Sequence, residues 1–410
     1  MQKSSPPPSY IVESEELGDL GSKKLTVNFG PQHPATHGTL RNIVELDGEK
    51  ITKIIPEIGF LHSGFEKQAE YHSYNQTVTT TDRMNYLSPL CNNVGFSLAC
   101  EELLGIETTP RCHYIRVMMC ELSRIGDHIV SVGLQAMDLG AFSVMLWTFA
   151  EREKLYDIFE AVTGARLTTS YTRVGGLARD IPPDFADMVK KFIKDCTATL
   201  KQVEDILEEN RIFLDRTKGV GVISKEDAIR YGLSGPLLRA SGVNYDVRKA
   251  HPYCSYEKFT FEVPVEYTGD VFARYKIRMF EMRQSIRIVE QALEGLPGGP
   301  LNYYDPELVI PEKQEVYNTI EGLIYHFKNF MFGHGIRPKK GEVYSSTEAP
   351  NGELGFYLIS DGTDKPFRMR VRPPSFYNYQ AMPKMAEGLV ISDVVAILSS
   401  LNIIAGELDR

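Results

Sequence analysis

Between residues 129 and 150 the chain reads IVSVGLQAMDLGAFSVMLWTFA, twenty-two positions with Asp138 as their single charge. A run of that length and polarity must either span a bilayer or be covered on all sides by protein. Two glycines and a glutamine interrupt it, and DLGAF reads as a break. The expectation is therefore two buried helices in a soluble core, with a membrane span as the lesser alternative. In either setting Asp138 is a costly charge that needs a cationic or hydrogen-bonding partner or must stay protonated, and a histidine would serve.

The surrounding sequence supports a helical core. From about residue 66 to 202, MNYLSPLCNNVGFSLACEELLG, YIRVMMCELSRIGDHIVSVGLQ and FAEREKLYDIFEAVTG carry apolar positions at steps of three and four, and a further helix is expected over 183–210. Consecutive apolar stripes predict a bundle. Ahead of it, KKLTVNFG, TLRNIVEL and EKITKIIPEIG have strand composition, with Asp47-Gly48 as a turn. Residues 211–268 read as irregular and glycine-rich, helices resume at 270–295 and 312–331, and the tail holds a hairpin turning at Pro-Asn-Gly before a last helix near 380–400. The class is α+β, divided into an extended arm (1–22), an N-terminal β-sheet (23–65) and a helical core with peripheral strands (66–410).

Composition removes several functions. A net charge of -9 among 410 residues lacks the clustered cationic excess that nucleic acid binding needs. Cys91, Cys100, Cys112, Cys120, Cys196 and Cys254 form no Cys-x-x-Cys and no zinc-ligand spacing with histidine, so reduced, mostly buried thiols are expected and no metal bound by this chain alone. The first residues, MQKSSPPPSYIVESEE, carry no apolar run of a signal peptide, which points to a reducing compartment. Phosphate-binding glycine motifs and the G-x-S-x-G nucleophile turn are missing from the sequence.

What remains are isolated polar groups. In NFGPQHPATHG, His33 and His37 are four apart, but Pro34 between them argues against a regular helix, leaving a loop between two strands. His37, beside Gly38, can offer both ring nitrogens and exchange a proton near neutral pH, although a turn histidine bonded to backbone is the plainer reading from chemistry alone. Tyr86, in TDRMNYLSPL at an expected helix start, can donate from its phenol or simply pack its ring. Arg83, three residues earlier, offers a permanent cation or a surface salt bridge. RASGVNYDVRKAHPY suits either a buried polar network or a subunit interface.

Read together, NFGPQHPATHGTLR, GFLHSGFEK, DRMNYLS, ELSRIGDHI, MDLGA, RASGVNYDVRK, GEVYSSTEAPNGELGFYLISDG and GELDR, in that order, carry a resemblance. From about Leu25 to Arg410 the chain resembles the 49 kDa (D-type) family of subunits of the proton-pumping NADH-quinone oxidoreductase, respiratory complex I. That family is similar in fold to the large subunit of nickel-iron hydrogenases, whose metal is held by two Cys-x-x-Cys pairs near the chain ends. Here the corresponding stretches, GFLHSGFEK and SSLNIIAGELDR, contain no cysteine, so soft metal ligation is excluded.

The resemblance implies a quinone pocket where the hydrogenase metal would sit, at the interface with an iron-sulfur small subunit (B type) that carries a tetranuclear cluster. His37 and Tyr86 match the two headgroup-binding positions, Asp138 the carboxylate that pairs with the histidine, and Arg83 the arginine beside the cluster. It further implies neighbours of the C type and membrane H type, no homo-oligomer, no metal or nucleotide bound by this chain alone, and a peripheral place on the cytoplasmic side of the inner membrane, or the matrix or stromal side in an organelle. Two departures stand out. Thr168 replaces a histidine that the family associates with pH-dependent cluster potential, and Ser63 stands where mitochondrial members carry a modified arginine, which suggests a bacterial source. The contrasting readings are a metal-free structural scaffold, and a related complex fed by ferredoxin or a deazaflavin.

Overall fold

The computed structural model describes residues 13–17, 22–331 and 333–410. Four antiparallel strands in sequential order, β1 (Glu13–Leu17), β2 (Ser22–Phe29), β3 (Arg41–Asp47) and β4 (Lys50–Glu57), make the N-terminal sheet. The expected arm thus contributes an edge strand at 13–17, and the rest of 1–22 lies outside the described residues apart from Ser22, which opens β2. The Asp47-Gly48 turn closes β3 onto β4 with Asp47 opposite Lys50, and the alternation of β3 buries Asn42, Val44 and Leu46 on one face. The segment between β2 and β3 carries both histidines.

Short helices α1 (Phe65–Ala69) and α2 (Tyr74–Thr81) lead to the core helices α3 (Pro89–Leu104), α4 (Pro110–Asp138) and α5 (Phe142–Thr163). Helix α4 starts where Thr109 accepts from the Cys112 amide and Pro110 occupies the first turn, a position that requires no N–H. It ends at Asp138; Gly140, at φ +95°, makes the break, and α5 begins two residues on. The two helices pack closely because Gly133 faces Thr148: a Cβ there would stand 2.3 Å from the threonine hydroxyl. Among the described residues no helix is long and apolar enough to cross a membrane. The expectation of full burial holds for most of α4 but not for the start of α5, where Phe142, Leu146 and Trp147 fall on a face turned away from α4 and are exposed.

A two-stranded ribbon, β5 (Thr172–Arg173) with β6 (Gly176–Leu177), precedes α6 (Phe185–Leu207), close to the expected 183–210. The stretch read as irregular contains α7 (Arg211–Thr217), α8 (Lys225–Arg230), α9 (Gly235–Ala240) and α10 (Val247–Ala250), all too short to show a period; Asn210, Ser224 and Asp246 cap three of them with side-chain oxygens. Helix α11 (Val271–Glu294) lies against α4. The helix expected over 312–331 is two, α12 (Lys313–Asn318) and α13 (Ile320–Phe330), because the Thr319 side chain caps the second.

The C-terminal hairpin turns as expected, with Ala349 opposite Gly352 across Pro350-Asn351; β7 (Gly341–Ala349) and β8 (Gly352–Ser360) then gain a third strand, β9 (Arg368–Arg372). The last expected helix resolves into α14 (Pro374–Tyr379), α15 (Met382–Ala386), α16 (Ile391–Leu401) and α17 (Ala405–Asp409). Two large apolar cores result among the described residues: one spans α3 to α6, α11 and the C-terminal sheet, and the other lies between the N-terminal sheet and α14 to α17; a third, small cluster joins α9 to α11. The histidine segment sits on the second core, at the C-terminal end of α4. All six cysteines are buried, free thiols.

Candidate functional site

Pro34 does not keep the histidine segment free of helix. Residues Pro34–Thr36 form one 3-10 turn, with Pro34 at its first position and the two histidines as its caps. His33 shapes the loop: its Nδ1 accepts from the Ala35 amide at 3.2 Å and its ring lies 4.1 Å from that of Phe29. The Thr36 hydroxyl ties the loop together through the carbonyls of His33 and Gly38. His37 follows in the left-handed region, φ 53°, a conformation in which its imidazole leaves the turn and reaches the end of α4. Its Nε2 lies 2.8 Å from Asp138 Oδ2, at ion-pair distance without the alignment of a hydrogen bond. With side chains only 12% and 7% exposed, this contact is shielded from water on most sides. The costly carboxylate within the apolar run, at the end of α4, therefore has a histidine partner.

Tyr86 stands three residues before α3 begins, in the turn that follows α2, not at the helix start. Its ring is half-buried, and its hydroxyl has no protein partner among the described residues. Burial, with the Asp127 carboxylate nearby, pushes the phenol above its ordinary range and keeps it protonated. Arg83 is exposed, bonds the Thr79 carbonyl and lies 3.8 Å from the Asp82 carboxylate. Asp82, fully buried, also accepts from the Ser170 amide and hydroxyl and from Asn93, although burial still leaves its carboxyl raised. Through Asp82 the loop bearing exposed Thr168 is held beside Arg83.

Helix α17 joins these parts. A Cβ at Gly38, next to His37, would stand 3.1 Å from the Ala405 side chain, and one at Gly406 would stand 3.4 Å from the Tyr86 ring. The His37 loop and Tyr86 thus rest on consecutive residues of one turn. Asp409 then clasps the start of GFLHSGFEK: its carboxylate accepts from the Gly59 and Leu61 amides, both at 2.8 Å, and its carbonyl lies 2.7 Å from His62 Nδ1. The two cysteine-free stretches meet through a carboxylate and backbone amides. Among the described residues no three histidine, cysteine or acidic side chains converge as a metal site. Clefts of about 580 and 820 Å³ lie elsewhere, and none of His37, Arg83, Tyr86 and Asp138 lines them.

RASGVNYDVRKAHPY resolves as a buried network. Arg239 donates to Glu281 and Glu348; Arg248 donates to Asp246 and Glu121; Arg124 completes the set, all fully buried. Burial alone would raise the Glu121 carboxyl, but Arg124 and Arg248, with the Ser285 and Tyr256 hydroxyls, bring it down to about 2. His128 Nε2 lies 2.9 Å from Glu281, which Arg239 holds well below the usual carboxylate range against the cost of burial. Sequence reading did not single out Asp127 or Glu407. Their signal was present: Glu121, Arg124 and Asp127 at steps of three within the apolar pattern of α4, and a carboxylate in the apolar tail stretch.

These features define a class: a helix-cored α+β chain that brings an imidazole–carboxylate pair and a protonated phenol together on one turn of its last helix. The family described as respiratory-chain NADH dehydrogenase, 49 Kd subunit, matches residues 138–410. The chain is 52% identical over 386 residues (94% of this chain, 98% of the relative) to the NADH-quinone oxidoreductase D subunit of Geotalea uraniireducens (strain Rf4). It is 51% identical over 401 residues, 98% of this chain and 96% of the relative, to the corresponding D subunit of Methylacidiphilum infernorum (isolate V4). With the first of the D subunits of Solibacter usitatus (strain Ellin6076) it shares 48% over 411 residues, the full length of both. The chain belongs to this 49 kDa family of NADH-quinone oxidoreductase subunits.

Proposed function

We propose that this chain is the quinone-site subunit in the peripheral arm of a proton-pumping NADH-quinone oxidoreductase, acting as one part of a multisubunit enzyme. The observation that carries the proposal is the shielded His37–Asp138 contact at 2.8 Å, on the same turn of α17 as Tyr86. Quinone reduction consumes two electrons and two protons. Arg83, which is exposed, would face a tetranuclear iron-sulfur cluster held by a B-type partner, and that cluster would supply the electrons. Tyr86 donates a proton to one quinone oxygen from a phenol that burial keeps protonated, and the His37 imidazolium donates to the other. Asp138 stabilises His37 while it is charged. Once that proton has left, the carboxylate loses its counter-charge in a shielded setting, and this is the change we assign to coupling with proton translocation.

The exposed Phe142, Leu146 and Trp147, just after Asp138, fit coverage by partner subunits of the B, C and membrane H types, with the chain peripheral on the cytoplasmic side of the membrane. In this reading residues 23–65 are a small domain that presents the His37 loop to a hydrogenase-like core formed by 66–410, with 1–22 as an arm. The test is His37→Ala and Tyr86→Phe, each in the assembled complex. Loss of a proton donor is expected to lower quinone reduction on the order of a hundredfold. NADH oxidation by an artificial acceptor upstream of the quinone should be unchanged. Normal quinone reduction in both variants would make the chain a scaffold.

A further inference from the structure

The cleft of about 820 Å³ has no part in the mechanism above, yet it is built with care. It lies between the β5–β6 ribbon and the segment that runs from Leu301 into α12, and its two walls are bonded to each other. Asn302 Oδ1 accepts from the Leu177 amide at 2.8 Å, and the Tyr303 amide donates to the Gly175 carbonyl at 2.8 Å. A Cβ at Gly176 would stand 2.0 Å from Asn302 Oδ1, so only glycine admits this approach. Asn329 holds the far wall, with its amide directed to the Pro306 and Val309 carbonyls. The cleft therefore keeps its shape whether or not anything occupies it.

Three cations line it, Arg173, Arg179 and Lys313. Arg173 is half-buried, and none of its five guanidinium donors has an acceptor among the described residues. Burial works against its charge, and Asp82 is the one anion that offsets this. Asp82 is already occupied by the Ser170 amide and hydroxyl and by Asn93, and takes no bond from Arg173. The contrast is with Arg116, which donates to the Arg173 carbonyl and also grips Glu101 with both ends of its fork. Arg179 is exposed and has no acceptor either. On the anionic side, Asp180 is spent on Arg111 and the Ile181 amide, and Glu312 is exposed beside Lys313. In a chain of net charge -9 this is a local cationic surplus, with a part-desolvated guanidinium that has no bonded counter-ion.

Such charges could meet a phosphate or a carboxylate, and the backbone decides between them. Phosphate sites draw on free amides or on the start of a helix. Here the Leu177 amide is taken by Asn302 and the Ala178 amide by the Tyr171 carbonyl, and α12, with six residues, is too short to contribute. A carboxylate needs no such cradle, because the guanidinium fork matches it directly. Leu177, Val309 and Ile310 give apolar contact to the residues on either side of it. We propose that this cleft receives an acidic segment of a neighbouring subunit, with an Asp or Glu carboxylate bound by Arg173 and with Arg179 and Lys313 beside it. The family places the chain in a multisubunit oxidoreductase, so neighbouring chains are at hand. The proposal stands apart from the quinone chemistry, and failure of the His37 and Tyr86 tests would leave it untouched.

The experiment treats the assembled complex with a carbodiimide, which joins an amine to a carboxylate only where the two touch. Lys313 supplies one amine in the wild type, and Arg173→Lys supplies a second while keeping the charge. Mass spectrometry should map amide links from these positions to one short run of Asp or Glu residues in another subunit. Links confined to Asp82, Asp180 or Glu312 of this chain would overturn the proposal. The subunit so identified should leave the complex about tenfold faster on dilution in Arg173→Ala, but at the wild-type rate in Arg211→Ala, which removes an exposed cation outside the cleft. Equal rates in the two variants would also overturn it. So would phosphate or a nucleotide released in equimolar amount from the denatured wild-type complex and missing from Arg173→Ala, since the cleft would then hold a small anion. Should Arg173→Ala prevent assembly, the links from Lys313 and from Arg173→Lys decide the matter alone.

Discussion

Gly406→Ala is the most informative single change, because helix propensity and packing predict opposite signs for it. In an exposed helix, alanine for glycine stabilises by about 1 kcal/mol. At Gly406 the new Cβ would stand 2.5 Å from the Arg83 carbonyl oxygen and 2.7 Å from that of Met84, both backbone atoms that no rotamer change can withdraw. Ordinary contact begins at 3.4 Å, so 3.4 - 2.5, or 0.9 Å, of separation must open between α17 and the turn that carries Tyr86. Helix α17 has little room to retreat, since Asp409 is bonded to the Gly59 and Leu61 amides, Glu407 to Ser375, and Leu408 is fully buried. The turn must move, and with it the phenol. Overpacking of this kind costs about 1–3 kcal/mol of stability. Displacing a donor by close to an ångström costs turnover on the order of a hundredfold. The assay is quinone reduction by the assembled complex, set against NADH oxidation by an upstream artificial acceptor. Gly298→Ala serves as the control, because nothing lies within 4 Å of its added carbon. Wild-type quinone turnover in Gly406→Ala would refute the placement of Tyr86 in the chemistry.

Other outcomes follow from the same geometry. Asp138→Asn removes the counter-charge of His37 and should uncouple proton translocation from the quinone reduction that remains, as measured by pumping per quinone reduced in proteoliposomes; unchanged pumping eliminates the trigger assigned to this pair. Glu121→Gln should cost about 3 kcal/mol at neutral pH, since the carboxyl is lowered from 4.5 to about 2. The sign is fixed: a depressed carboxyl contributes stability above its unfolded value that is lost as pH falls toward 2, so denaturant titrations should show a shallower acid limb in the variant. Thr168→His places an imidazole on the loop that Asp82 holds beside Arg83, and it should steepen the pH dependence of the partner cluster's potential in a redox titration. A wild-type potential that already moves steeply through neutral pH would contradict the role given to Thr168.

Local chemistry made much of the framework readable. Gly140 marks the α4–α5 break because only the positive φ of a glycine ends the helix there cheaply, and Asp47-Gly48 and Pro350-Asn351 mark hairpins for the same kind of local reason. The four short helices between residues 211 and 250 were not readable as a period, since a helix of four to seven residues shows barely two turns; only their caps speak for them. At the site, the need of Asp138 for a partner was legible, but the choice of His37 over His33 came from family resemblance. The structure gives a reason: His33 is consumed in capping the 3-10 turn, and the left-handed backbone at His37 turns its ring outward to α4. Asp127 and Glu407, whose carboxyls bear on each other, could not be paired from sequence because they lie 280 positions apart, and nothing local to either says that α17 folds back onto α4.

The Asp409 clasp also sets the order in which the site can be built. Its bonds to Gly59 and Leu61 close loops of 350 and 348 residues, among the most distant pairings in the chain. Translation delivers the His37 loop, Arg83 and Tyr86 long before the residues that seat them, and at typical synthesis rates the wait is on the order of tens of seconds. Helices α3 to α6 can pair in that interval through contacts nearer in sequence, while the C-terminal sheet that completes their core and the helix that seats the site are still to come. The His37 loop and Tyr86 therefore gain their common seat only with the last residues to be made, and the site is the last part of the chain to close.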